Sequence, residues 1–379
     1  MKLIKKLLIT LAPTILALLL FGMGFFACYY VIVKMFDNEI QSGAKAYTLG
    51  RLLKGKPEKR AAMASAYYEP NKALEIMDDI SWAVPNIPTP FVGTAPTPGQ
   101  QGVAHINSMQ FRADKELEQP KPNHTYRIFI TGGSTAYGSG APSDDKTIAG
   151  YLNALLTAQL TPMTKLKFEV FTMANPAWAS TQERIVIENL LSELEPDMVI
   201  AFSGVNDVHW GAGGRNILWY RSYSDEFFLS LIKNLYKLTR QPPIPENTQI
   251  GSNPIAPAVV ADRLLKNVRI SLFTLSEKKI DYVFVLQPAL AVTNKQLTIR
   301  ERKGLKQQDY FRKCYGLFIE ELERLHGENY QFVDLSGMFD GSGEQEEIFL
   351  DSFHFGDKGN GKIAESIFSK IKGRIGKQF

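Results

Sequence analysis

The sequence predicts an α/β protein: a three-layer α/β/α domain on a five-stranded parallel sheet, preceded by one N-terminal transmembrane helix. Three observations predict it. From Tyr126 onward, short apolar runs alternate with stretches of helical periodicity, the pattern of strands joined by helical crossovers. Runs such as Met198–Phe202 (MVIAF) and Tyr282–Leu286 (YVFVL) are apolar throughout, as in strands covered on both faces. Ahead of them, Leu7 to Val33 carries no charge at all.

That uncharged run spans about 40 Å at the helical rise, more than the ~30 Å hydrocarbon core needs and longer than the apolar part of a cleavable signal peptide. Lys2, Lys5 and Lys6 precede it, and Tyr29 and Tyr30 stand near its far end as interfacial aromatics do. Lys34, Lys45 and Arg51 follow it, so the positive-inside count is near a tie. The tight N-terminal Lys cluster favours a cytoplasmic N-terminus with the rest of the chain outside, which is the periplasm in a Gram-negative cell.

Residues 34–68 are polar, charged and Ala-rich and read as a helical juxtamembrane stalk. Residues 82–102 hold Pro85, Pro88, Pro90, Pro96 and Pro98 with Gly93, Gly99 and Gly102, which excludes a regular helix or an interior strand. That stretch is a linker, or an extended strap over the next domain. Residues 1–33 are thus the expected anchor, 34–104 stalk and linker, and 105–379 the α/β domain. Its strands are expected at Tyr126–Thr131, Lys167–Met173, Met198–Phe202, Tyr282–Leu286 and Tyr330–Leu335. Helices are expected at Thr147–Leu160, Thr181–Leu194, Ala258–Lys278, Gly304–Leu325 and Gly359–Lys372. An insert at about 210–257 breaks the rhythm and carries Trp210, Trp219, Tyr220, Tyr223, Phe227, Phe228 and Tyr236. It reads as a lid or substrate-binding wall, or as a satellite cluster packed on the sheet.

Composition excludes several classes. A net charge of +4 over 379 residues, with no basic block among aromatics, does not favour nucleic acid. Two cysteines cannot build a disulfide framework or a Cys-based zinc cluster.

In sheets of this kind ligands bind at the carboxyl ends of the strands, and the chemically suggestive residues stand there. The first strand runs into Gly132-Gly133-Ser134-Thr135, a small-residue turn able to expose a hydroxyl and free N–H groups. No Gly-Lys-Ser/Thr follows, so it is not a P-loop, and the glycine spacing does not fit a dinucleotide fingerprint. A serine nucleophile needs a base. Of the five histidines, His354 lies in Asp351-Ser352-Phe353-His354, where a carboxylate can hold Nδ1–H and leave Nε2 for the serine proton. The third strand is followed by Gly204-Val205-Asn206-Asp207, whose Asn206 amide can donate to an oxyanion. The second is followed by Asn175-Pro176-Ala177-Trp178, whose N–H groups can face the same point.

Taken together and in this order, the blocks resemble the SGNH hydrolases, the GDSL-like esterase family, over roughly residues 105–373. Gly133-Ser134 matches the nucleophile block, Gly204–Asp207 the Gly-x-Asn-Asp block and Asp351–His354 the Asp-x-x-His block. Bacterial polysaccharide-associated members look closer still, through Asn107–Arg112, Gly132–Thr135 and Ser180-Thr181-Gln182-Glu183. Two positions depart from the pattern: Gln110 and Ala177 stand where those members carry glycine.

The resemblance implies a flavodoxin-like sheet and a membrane-anchored serine esterase that needs no metal or cofactor. Ser134, Asp351 and His354 would be catalytic. The Ser134 N–H, the Ala177 N–H and the Asn206 side chain would form the oxyanion site, with Gly133, Gly204 and Asp207 supporting it. The implied substrate is an acylated carbohydrate or another ester, and no nucleic acid or particular protein partner is implied. An acyltransferase with the same triad and a non-catalytic polysaccharide-binding or partner-binding membrane protein are the competing functions.

Overall fold

In the computed structural model the chain separates into two units, Met1–Lys45 and Ala46–Phe379. The structure describes residues 2–43, 47–83, 85–215, 239, 253–341 and 346–376. The first unit is one helix, α1 (Lys2–Gly43). Within it Leu11–Ile32, with mean hydropathy 2.3, is long and apolar enough to cross a membrane or to serve as a signal sequence.

The second unit is built on strands β1 (Thr125–Gly132), β2 (Lys167–Ala174), β3 (Met198–Ser203), β4 (Asp281–Leu286) and β5 (Tyr330–Asp334). They form a five-stranded sheet in the order β5-β4-β3-β1-β2, with every neighbouring pair parallel. The connecting helices used below are α2 (Ile148–Gln159), α3 (Ser180–Asn189), α4 (Val205–Ala212), α5 (Pro257–Glu277), α6 (Gln308–Glu323) and α7 (Asp357–Ile375).

Alternate strand residues serve opposite layers, as the two-residue strand period requires. Ile128, Ile130, Ile200 and Val285 pack on Leu152 and Leu156 of α2 and Ile363, Ile367 and Ile371 of α7. Phe129, Val199, Ala201 and Phe284 face the other way, toward Ile187 of α3, Leu264 and Val268 of α5 and Phe318 of α6. The three-layer expectation therefore holds. The strand order reverses between β1 and β3, and a crevice for ligands opens where the chain leaves those two strands in opposite directions.

The domain boundary differs from the expectation. Residues 47–104 are neither a free stalk nor a linker. Leu49, Leu53, Met63, Tyr67 and Met77 form a buried cluster that includes Leu350 of the α/β domain. The Pro-rich stretch folds as short antiparallel pairs, Asn86–Thr89 with Gly93–Pro96 and Gly99–Gln101 with Ala104–Ile106. Prolines are tolerated because these are short two-stranded ribbons with open edges. The Thr94 carbonyl in this stretch accepts from Asn175 Nδ2 and Trp178 Nε1. Arg112 then bridges to Thr172 and covers part of the outer edge of β2.

The helix expected over Gly304–Leu325 starts later, at Gln308, and a separate short helix ends at Gly304. Ile299–Gly304 starts from a capping box in which Thr298 and Glu301 satisfy each other's backbone N–H groups. α6 begins only after Gln307 has turned left-handed, at φ 51°. Of the 210–257 insert, the aromatics Trp219, Tyr220, Tyr223, Phe227, Phe228 and Tyr236 lie outside the described residues.

Candidate active site

β1 delivers the chain directly into the crevice. Gly133 caps a single helical turn, Ser134–Tyr137, closed by Gly138 at φ 86°. Ser134 is the first residue of that turn, so its N–H has no intrahelical acceptor and is available to a ligand. Only a glycine fits at position 133. A Cβ there would lie 2.2 Å from Asn206 Nδ2 and 3.0 Å from the Trp178 carbonyl oxygen.

The Asp-x-x-His loop leaves the segment that follows β5 and returns its histidine to the same point. His354 Nε2 lies 2.6 Å from Ser134 Oγ, and its Nδ1 lies 2.8 Å from Asp351 Oδ2. The other carboxylate oxygen accepts from the Phe353 and His354 N–H groups at 2.9 and 2.8 Å. These contacts fix the carboxylate, and the carboxylate in turn fixes the imidazole tautomer able to accept from serine. Desolvation raises the Asp351 carboxyl, but the electrostatic pull of His354 beside it and these hydrogen bonds outweigh it and bring the group down to about 2.

The loop is itself anchored from behind. Glu301 accepts from the Ile348 and Phe349 N–H groups and from Lys295 Nζ at 2.7 Å, and the Lys295–Glu301 pair is fully buried. Arg300 donates to Glu347 and to the Phe349 and Leu350 carbonyls.

The other two blocks meet across the sheet. Gly204 adopts φ 110° and caps α4, which places Asn206 in the first turn of a helix rather than in a free loop. Asn206 Nδ2 donates to the Trp178 carbonyl at 2.6 Å, and Trp210 Nε1 donates to the Ala177 carbonyl at 3.2 Å. Ala177 itself sits at φ 75°, in the left-handed region where glycine is at ease and alanine is strained by about 1 kcal/mol or more. The backbone conformation is kept without the glycine. Gln110 behaves alike at φ 67°, and its side chain compensates by donating to Thr89 Oγ1 and the Pro96 carbonyl.

Asp207 does not face the crevice. It accepts from the Ser180 N–H at 3.1 Å and Ser180 Oγ at 2.6 Å, tying the start of α3 to α4. Asn267 of α5 donates to Ser180 and Thr181 in the same buried network. Glu183 accepts from Ser203 Oγ at 2.6 Å. Burial pushes both carboxyls up, Asp207 to about 6 and Glu183 well above its ordinary value, against the hydrogen bonds that lower them.

Sequence reasoning missed several contributors. Arg112 donates to Asp144 Oδ1 at 2.8 Å and to the Tyr137 and Gly138 carbonyls, pinning the end of the nucleophile turn. Gln287, just beyond β4, accepts from Thr135 Oγ1 at 2.9 Å. The rings of Trp82 and Phe353 lie 4.4 and 4.7 Å from His354. Arg112 already stood in the Asn107–Arg112 segment, but nothing local marked Gln287 or Trp82.

No family model matches the chain, and no curated protein matches it in sequence. Among solved structures it is similar to an acetyl xylan esterase, at 16% identity over 65% of this chain and 99% of that one, with a TM-score of 0.40. It is similar to a catalytic mutant of an acetylxylan esterase from Geobacillus stearothermophilus, at 14% identity over 65% and 94% of the two chains, with a TM-score of 0.41. A GDSL-like lipase from Bacteroides thetaiotaomicron is also similar, at 13% identity over 68% and 93%, with a TM-score of 0.37. At these identities and TM-scores the likeness does not extend to chemistry, which rests on the side-chain geometry above.

Proposed function

We propose that the chain is a membrane-anchored serine esterase of the SGNH type that removes O-acyl groups, acetyl foremost, from carbohydrate. One observation carries this reading: the hydrogen-bonded chain Ser134–His354–Asp351, with separations of 2.6 and 2.8 Å.

In that reading Ser134 Oγ attacks the ester carbonyl while its proton passes to His354 Nε2. Asp351 holds Nδ1–H and stabilises the imidazolium. The Ser134 N–H, the Ala177 N–H and Asn206 Nδ2 bind the oxyanion of the tetrahedral intermediate. The ester C–O bond then breaks, Nε2 returns the proton to the leaving alcohol, and the acyl group remains on Ser134. Water attacks this acyl-enzyme, gives its proton to Nε2, and releases the acid and the free serine. Carbohydrate is favoured by the aromatic surfaces of Trp82, Phe353 and Trp210 at the site, since sugar rings lay their C–H faces on aromatic rings. Membrane attachment is supported by the apolar span Leu11–Ile32, and the Lys2, Lys5 and Lys6 cluster before it favours an extracytoplasmic catalytic unit.

The test is hydrolysis of p-nitrophenyl acetate by the full-length chain in detergent micelles, beside Ser134→Ala and His354→Ala. Turnover is expected to fall to background in both variants. Equal turnover in wild type and Ser134→Ala would overturn the reading.

A further inference from the structure

Trp82 lies in the stretch that sequence reads as linker, yet it reaches the centre of the site. Its indole is centred 4.4 Å from the His354 imidazole, with the two planes at 53°. The contact is built rather than incidental, because the backbone around Trp82 is fastened to the nucleophile turn at several points. Ser139 Oγ donates to the Trp82 carbonyl at 2.5 Å, and the Gly140 N–H donates to the Ser81 carbonyl at 2.9 Å. Ser81 Oγ and Tyr137 Oη are 3.4 Å apart. Tyr67 Oη donates to the Gly140 carbonyl at 2.7 Å. Ser81–Ala83 is also paired antiparallel with Tyr47–Thr48. The Trp82 backbone is therefore held by Ser139 and Gly140, which directly follow the turn that carries Ser134.

The chemistry needs such a neighbour. His354 is tethered at Nδ1 by Asp351, while Nε2 must first face Ser134 Oγ and then the leaving oxygen. That transfer is a small pivot about the Nδ1 tether, and any tilt of the ring out of its plane misdirects the proton. A rigid aromatic surface against the imidazole permits the pivot and resists the tilt.

We infer that Trp82 is a positioning residue for His354, so that the segment between the membrane helix and the α/β domain is part of the catalytic apparatus; this rests on the esterase reading above. The test compares Trp82→Ala, Trp82→Leu, Trp82→Phe and Ser134→Ala in the full-length chain in micelles. The substrate is p-nitrophenyl acetate, and kcat and KM are measured per folded chain, with folding followed by circular dichroism. Displacing a catalytic group by about an ångström costs on the order of 10²-fold. Trp82→Leu and Trp82→Ala are thus expected to lower kcat by roughly 10- to 100-fold with KM little changed, and Trp82→Phe, which keeps a ring against His354, to restore most of it. Should Trp82→Ala fail to fold, the Leu and Phe pair alone decides. Unchanged kcat in Trp82→Leu overturns the proposal, as does a loss that appears only in KM or that Phe and Leu share equally. Ser134→Ala with wild-type turnover would instead overturn the esterase reading beneath it.

Discussion

Replacing Gly133 with alanine tests the assembly of the proposed oxyanion site at one atom. The backbone accepts the change, because Gly133 is extended at φ −87°, ψ −152°. The space does not. The new Cβ would meet Asn206 Nδ2 at 2.2 Å, about 1.3 Å inside an ordinary ~3.5 Å contact. The Trp178 carbonyl at 3.0 Å blocks the nearest alternative. Asn206 must therefore leave its 2.6 Å hydrogen bond to that carbonyl and swing away from the reacting carbon. Loss of one oxyanion donor costs ~10²–10³ in kcat, or about 2.7–4 kcal/mol of transition-state stabilisation. Gly133→Ala is expected to lose kcat by that factor on p-nitrophenyl acetate. Asn206→Ala should lose a similar amount, and the double variant no more than Asn206→Ala alone. A Gly133→Ala enzyme with wild-type kcat, or a double variant whose losses multiply, would refute the reasoning.

Three further outcomes follow from the same geometry. Ala177→Gly relieves a left-handed alanine, and after glycine's greater unfolded-state freedom is subtracted it should stabilise the chain by about 0.5–1 kcal/mol without lowering kcat; a lower melting temperature would count against the strain argument. Asp207 is raised to about 6, so the native state holds a proton that the unfolded chain has released above pH ~4, and its contribution to stability is lost as pH rises from about 4 through 6. Asp207→Asn should therefore gain about 2–2.5 kcal/mol relative to wild type between pH 4 and pH 7 in chemical denaturation, and a constant difference would exclude this role. Glu301→Ala strands a fully buried Lys295 and frees the Ile348 and Phe349 N–H groups, for a loss of about 3–5 kcal/mol in the same assay; a loss below about 1 kcal/mol would show that Lys295 finds another partner.

What could be read from sequence was what is encoded locally. β2 runs Lys167–Ala174 where Lys167–Met173 was expected, because its pattern and its flanking turns belong to the strand itself. Ser134, Asp351 and His354 were legible because each lies in a short block at a strand end. Asn206 was legible as a residue at a strand end, but its place in the first turn of a helix was not, since nothing in Gly-Val-Asn-Asp announces a helix start at a glycine of φ 110°. The strap was harder. Its prolines exclude regular structure without saying what the stretch packs on, and the Trp82–His354 contact depends on a fold completed far downstream. The break at Gln307 was hidden because a left-handed glutamine carries no compositional mark.

The Ser134–His354 contact joins residues 220 positions apart. During synthesis the strand, the glycine turn and the serine emerge long before the loop that brings the imidazole. Until that loop docks on Glu301 and beside Trp82, the hydroxyl has no proton acceptor and stays an ordinary alcohol. Chemical competence is thus the last property the nascent chain acquires. In the proposed reading, a chain halted short of its final loop and α7 would carry the serine without its proton acceptor and be inert toward esters.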